Sequence, residues 1–166
     1  LITSDIHLSD NPRDEYRHVF MAKTLPHLLE KHKAEACLIL GDLCEEKDRH
    51  PGNLLNRTVD HFHRLAEICP VVVLKGNHDY TADSDSPYWR FLQHVQGVCW
   101  VNEPSNTSGP LKKLTVDVPA DAGRCAFLPH TRDYARDWKN IDFSKYDWVF
   151  AHQTFQGADV GPRKLD

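Results

Sequence analysis

Four short clusters carry side chains suited to divalent-cation chemistry: Asp5-Ile6-His7, Gly41-Asp42, Gly76-Asn77-His78-Asp79 and His152. Carboxylate and amide oxygens with imidazole nitrogens are ligands for Mn²⁺, Mg²⁺, Fe or Zn²⁺. Residues two apart in an extended segment point the same way, so Asp5 and His7 can reach one ion. Asp42 has two oxygens and can serve two ions. Asn77 can offer its side-chain oxygen, and His152 a nitrogen, to the second. Two cations roughly 3.5–4 Å apart clamp a phosphate and generate a hydroxide between them. Each residue alone has a plainer reading. Asp5 and Asp42 suit turns and helix caps, and Asn77 suits a left-handed turn after Gly76. His78-Asp79 could be a surface hydrogen-bonded pair and His152 an interior histidine. Their joint occurrence at the ends of apolar runs favours the metal reading.

Those runs are the elements that must position the donors. The run 36–41 stops abruptly at Gly41-Asp42, as a buried strand of a parallel sheet would. A glycine there permits a tight turn and close approach of other groups. The next side chain then projects into the crevice beyond the strand ends, where open α/β sheets bind ligands. Residues 1–4 read as a strand and 14–32 as a helical stripe through Val19, Phe20, Leu25, Leu28 and Leu29. Pro26 lies inside that stripe and predicts a kink or two helices. Residues 44–52 read as a loop, 54–68 as an amphipathic helix and 70–74 as a β-branched strand. The resulting β-α-β-α-β order predicts right-handed crossovers and a parallel sheet. Further on, 81–86 read as a loop, 87–95 as a short helix, 98–101 as a strand and 102–110 as turns. Residues 111–118 and 124–128 read as an antiparallel pair around the turn 120–123. A short helix at 131–139 and a strand at 146–151 follow, the strand delivering His152, and 153–166 read as loop. A single domain over 1–166 is expected.

The chain has 166 residues and a net charge of −4, ordinary for a globular protein. No apolar run is long enough to span a bilayer, and no secretory signal pattern opens the sequence. Five irregularly spaced cysteines and no CxxC pair predict buried free thiols in a reducing, cytoplasmic setting, without a zinc site. Lys112-Lys113 and Arg163-Lys164 are small basic clusters, and duplex binding draws heavily on such contacts. A nuclease would therefore need help from another segment, a second copy or a partner.

The series of clusters, in this order and spacing, resembles the calcineurin-like metallophosphoesterases over most of the chain. The resemblance implies an α/β fold: a two-layered β-sandwich flanked by helices, four layers αββα. It implies two divalent ions, Mn²⁺ foremost, with Asp5, His7 and Asp42 on one and Asp42, Asn77 and His152 on the other. His78 would contact the phosphate and assist the leaving oxygen, and Asp79 would hold the His78 ring. The family's closing Gly-His-x-His does not follow His152, which implies that those ligands lie beyond Asp166. Within the family, His152-Gln153-Thr154-Phe155-Gln156-Gly157-Ala158 and Phe127-Leu128-Pro129 are similar to DNA-repair exonucleases of the SbcD type. That implies a phosphodiesterase acting on DNA by metal-hydroxide in-line attack, working with an ATPase subunit, with a homodimer also possible. A phosphomonoesterase or cyclic-nucleotide phosphodiesterase is the alternative, and a non-catalytic remnant of the fold a third.

The remaining candidates default to structure. His130 and Arg132 are within reach of a phosphate but read as a helix start and surface charge. His18, His27, His32, His61 and His63 lie on helix patterns and read as solvated. Trp89, Trp100, Trp138 and Trp148 read as core or rim packing.

Overall fold

The computed structural model describes residues 1–47, 49–81 and 88–155. Strands β1 (Ile2–Thr3), β2 (Cys37–Leu40), β3 (Val71–Leu74) and β4 (Val98–Val101) form one parallel sheet in the order β1-β2-β3-β4. Leu40 sits opposite Leu74, and Leu74 opposite Val101, so these strands finish side by side. The sheet alternates strictly between two cores. Ile39, Val71 and Val73 face the helices with Met21, Leu25, Leu29, Phe62 and Leu65. Leu38, Val72, Leu74, Cys99 and Val101 face the second sheet with Leu114, Cys125 and Phe127. Burial on both faces is why these strands are apolar at every position instead of every second one.

The second sheet runs β6-β5-β7-β8, from β5 (Ser105–Asn106), β6 (Lys112–Lys113), β7 (Cys125–Leu128) and β8 (Trp148–Ala151). It departs from the hairpin expected for 111–118 and 124–128. Only Lys112–Lys113 is a strand on that side, and it pairs with β5, which itself lies antiparallel to β7. The segment read as turns therefore supplies the strand between them. Its buried members are Ser105 and Asn106, polar residues with no strand signature. The expected turn is a 3-10 turn at Ala120–Ala122.

Helices α1 (Glu15–Val19) and α2 (Leu25–Lys31) are joined by a wider π turn over Phe20–Thr24. Pro26 stands at the second position of α2, where its missing N–H and its ring are absorbed by that turn. Helix α3 (Gly52–Ala66) is uninterrupted. The segment expected to be a helix at 87–95 is a 3-10 turn over Tyr88–His94, and the one at 131–139 contracts to α4 (Tyr134–Asp137), capped by the Asp133 carboxylate accepting from Arg136 N. The loop readings at 82–86 and 156–166 lie outside the described residues.

Two histidines expected in solvent are buried. His18 Nε2 lies 3.0 Å from the Ser9 carbonyl, and His18 Nδ1 lies 3.1 Å from His61 Nε2. The carbonyl can only accept, so His18 donates through Nε2 and receives the His61 N–H at Nδ1. Burial pushes His61 down to about 4, and the facing His18 adds to it. Trp148, expected to pack, is instead 61% exposed on β8. All five cysteines are buried and free, and burial pushes the Cys37 thiol up to about 12. No helix among the described residues is long and apolar enough to cross a membrane.

Candidate metal centre

The donors gather at the carboxyl ends of the strands. The segments after β1 and β2 run together as an extension of the ladder, with Asp5 N to Gly41 O at 3.0 Å, His7 N to Asp42 O at 3.0 Å and Leu8 N to Leu43 O at 2.8 Å. Asp5 and His7 are not extended, however. Both are left-handed, at φ 54° and 52°, and so is Asp42 at 50°. Lys33 is the one other non-glycine among the described residues with positive φ. Such backbone is costly for ordinary residues and clusters where function holds it in place. The shared direction of Asp5 and His7 thus comes from two left-handed turns and not from a pleat.

Two glycines make room. A Cβ on Gly41 would stand 2.3 Å from His152 Nδ1, and one on Gly76 would stand 2.1 Å from Asp42 N and 2.2 Å from Asp42 Oδ1. No larger residue fits at either position without displacing a donor or its backbone.

Asp42 is the hub, 4% exposed. Its Oδ1 accepts from His78 N at 2.9 Å and lies 3.4 Å from His152 Nε2, while Oδ2 lies 3.7 Å from His7 Nε2. Burial pushes this carboxyl up, but the His152 hydrogen bond and the His78 N–H outweigh it and hold it at about 2. His152 arrives from the second sheet. Its Nδ1 donates to Leu40 O at 2.7 Å, and its Nε2 faces Asn77 Oδ1 at 2.9 Å. Burial lowers its pKa, yet Asp42 and the Leu40 carbonyl raise it further than that, and the net shift is upward. His152 Nε2 lies where Asn77 and Asp42 converge, the place a cation would take.

The donor set fits a divalent metal. Potential ligand atoms of Asp5, Asp42 and His152 lie within 4.8 Å of one another, and so do those of His7, Asp42 and His78. Asp42 belongs to both groups. The grouping differs from the one the resemblance implied: Asp5 falls with His152, and His78 falls with His7. His7 Nε2 nevertheless remains 3.9 Å from Asp5 Oδ1.

Among the described residues, the Asp79 carboxylate accepts from backbone N–H groups and makes no hydrogen bond to the His78 ring. Its Oδ1 accepts from Leu43 N at 2.9 Å and Cys44 N at 3.3 Å, and its Oδ2 accepts from Gly76 N at 2.7 Å. It fastens the loop after β3 to the loop after β2. Burial pushes its carboxyl up to about 6 despite those donors. The His78 ring is oriented by Glu45 instead, whose carbonyl accepts from Nδ1 at 2.8 Å. Glu45 Oε2 also stands 3.1 Å from His7 Nδ1, an ion-pair distance at which that nitrogen still makes no hydrogen bond. Arg17 donates to the His7 carbonyl and lies 3.3 Å from Glu45 Oε2. Neither Glu45 nor Arg17 carries a sequence signal, because one lies in a charged loop and the other on a helix with many ions.

His130 sits one ring away. Its N donates to Lys75 O at 2.8 Å, and its ring lies edge-on to His152 with centroids 6.3 Å apart. Burial, followed by the facing His152 and Lys75, pushes it down to about 4, so it is neutral at pH 7. Tyr80 OH shares a hydrogen bond with His130 Nδ1 at 2.7 Å.

Residues 1–160 match the family model described as calcineurin-like phosphoesterase, and the chain belongs to that family. Among curated proteins it is similar to "Putative phosphoesterase 244L" of Invertebrate iridescent virus 6, 25% identical over 135 residues, which covers 76% of this chain and 44% of that protein. Among solved structures it is similar to a nuclease MPE of Pseudomonas putida, with 22% identity, a TM-score of 0.47, and coverage of 78% of this chain and 52% of that one. The chain spans about half the length of these relatives.

Proposed function

We propose that the chain is a two-cation phosphodiesterase acting on DNA. Membership of a phosphoesterase family supports the reaction class, and one geometric observation carries the two-cation reading: Asp42 belongs to both adjacent donor groups. Asp5, Asp42, Asn77 and His152 would hold one cation, and His7 and Asp42 the other, with His78 beside it. When bound, the pair, Mn²⁺ foremost, would neutralise phosphate charge and lower the pKa of water. The protein's own groups set the orientation. Leu40 O fixes the His152 tautomer so that Nε2 faces the crevice. Glu45 O accepts a hydrogen bond from His78 Nδ1–H, leaving Nε2, which in the imidazolium form would donate to a phosphate oxygen or protonate the departing oxygen.

The DNA assignment rests on the resemblance around His152-Gln153-Thr154, of which residues 156–158 lie outside the described part. With a net charge of −4, strand binding would draw on an ATPase partner or a second copy of the chain. Buried free thiols accord with a reducing, cytoplasmic setting.

Turnover of bis(p-nitrophenyl) phosphate with Mn²⁺ tests the reaction class. Activity in the wild type and its loss in Asp42→Asn are expected, and equal turnover by the two would refute the assignment. Nicking of linear and circular DNA, set against phosphate release from nucleotides, separates a nuclease from a phosphomonoesterase. Elemental analysis at saturating Mn²⁺ that finds one ion or none would favour a non-catalytic fold.

A further inference from the structure

Beside the candidate metal centre, on the same rim, lies a cavity of about 210 Å³ whose wall includes Lys75, Tyr80, His130, Arg132, Arg136 and Trp138. Lys75 directly follows β3, the strand that presents Asn77, and His130 follows β7, which pairs with β8, the strand that presents His152. Two cations sit against one ring: Lys75 Nζ is 4.8 Å and Arg132 Cζ 4.5 Å from the centre of Tyr80. Tyr80 is itself 2% exposed and pinned through its hydroxyl to His130. Trp138 Nε1 is a buried donor with no hydrogen-bond partner among the described residues. The acidic groups of the wall are answered locally, Glu103 by Lys112 at 2.5 Å and Asp137 by Arg136 at 2.6 Å. Arg132 also donates to Thr81 O at 3.0 Å, and an anion would join such contacts. The wall is therefore rich in donors and cations, aromatic on one side, and separated from the metal donors by the His130–His152 edge contact.

We propose that this cavity is a subsite for a second phosphate of the substrate, one linkage away from the phosphate that is cleaved. The inference rests on the phosphoesterase reading above and extends it from a reaction to a substrate class. A terminal phosphate and the next diester of a nucleic-acid strand share this chemistry, since a guanidinium takes either.

Kinetics with Mn²⁺ on thymidylyl-thymidine, on the same dinucleotide with an added 5′ or 3′ phosphate, and on the trinucleotide test the proposal. Wild type is expected to prefer a substrate with the second phosphate by roughly 10- to 100-fold in kcat/KM, the range that one charge-assisted hydrogen bond supplies. Arg132→Ala and Lys75→Met are expected to bring that ratio towards one, with far-UV circular dichroism confirming that the variants fold. Arg132 is exposed, so its variant is not at risk from the core. A gain with the trinucleotide identifies a polymer strand, and a gain only with the terminal phosphate identifies a monoester end. A wild-type ratio near one, or a ratio unmoved by both variants, overturns the subsite. Absence of turnover of every ester, bis(p-nitrophenyl) phosphate included, would refute the reaction class instead. Calorimetric titration of metal-free protein with the phosphorylated dinucleotide then decides. Binding that Arg132→Ala abolishes supports the subsite, and equal or absent binding in both proteins overturns it.

Discussion

Gly76→Ala is the sharpest single test of how the crevice is built. The new Cβ would stand 2.1 Å from Asp42 N and 2.2 Å from Asp42 Oδ1. The first of these is backbone and cannot swing aside as the tip of a long side chain does. Gly76 does not have positive φ, so the cost is steric and not conformational. Overpacking of this kind costs about 1–3 kcal/mol. Moving Asp42 also weakens the His78 N–H bond to its carboxylate, worth about 1.5–3 kcal/mol. The sum is about 3–6 kcal/mol, or about 6–24 °C in Tm for a chain of this size. Gly52→Ala is the control, because no atom lies within 4 Å of a Cβ there, and it should be neutral or stabilising by about 0.4–1 kcal/mol. Thermal unfolding followed by circular dichroism, with Mn²⁺ calorimetry beside it, reads both effects. A Gly76→Ala protein that melts within about 2 °C of wild type and binds Mn²⁺ equally would refute the close approach of the loops after β2 and β3.

Four other outcomes are expected. Asp42→Asn should weaken Mn²⁺ binding by more than ~100-fold, beyond the range typical of outer partners, as read by calorimetry; a smaller loss would show that Asp42 is not shared. The same carboxyl, held at about 2 against an ordinary 3.8, stabilises metal-free protein by about 2 kcal/mol above pH 4, and that contribution fades as pH falls through 2. His152 works in the opposite sense: its raised pKa stabilises below its ordinary 6.5, and the gain is lost as pH rises through the folded value, so Mn²⁺ uptake should release a proton below that folded value and none above it, as unbuffered titration reads. Buried His61, pushed down to about 4, favours folding above 6.5 by up to about 3 kcal/mol and loses that as pH falls towards 4. Urea midpoints at pH 7.5 and 4.5 should therefore converge in His61→Gln relative to wild type, and an unchanged difference would dispose of that account.

The strands of the first sheet were legible because burial on both faces writes itself as an unbroken apolar run, as in Val71–Leu74. The donors were legible because Asp5, Asp42, Asn77 and His152 each follow such a run. The second sheet was harder. Ser105 and Asn106 are buried by their place between β6 and β7, not by their own hydropathy. His18 and His61 look like polar positions on amphipathic helices, and only their facing across α1 and α3 reveals that each satisfies the other. The left-handed backbone at Asp5 and His7 leaves only a faint trace in residue type, since Asp and His enter that region more readily than most side chains but do not require it. Glu45 acts on His78 through its carbonyl, a group that every residue has.

His152 belongs to one sheet and hydrogen-bonds to the last residue of a strand in the other. Likewise, the His130 amide after β7 reaches the Lys75 carbonyl after β3. Sliding one half of the sandwich past the other would break these cross-links first. A cation seated among Asp42, Asn77 and His152 would therefore act as a fastener, its affinity adding directly to the work needed to part the two halves.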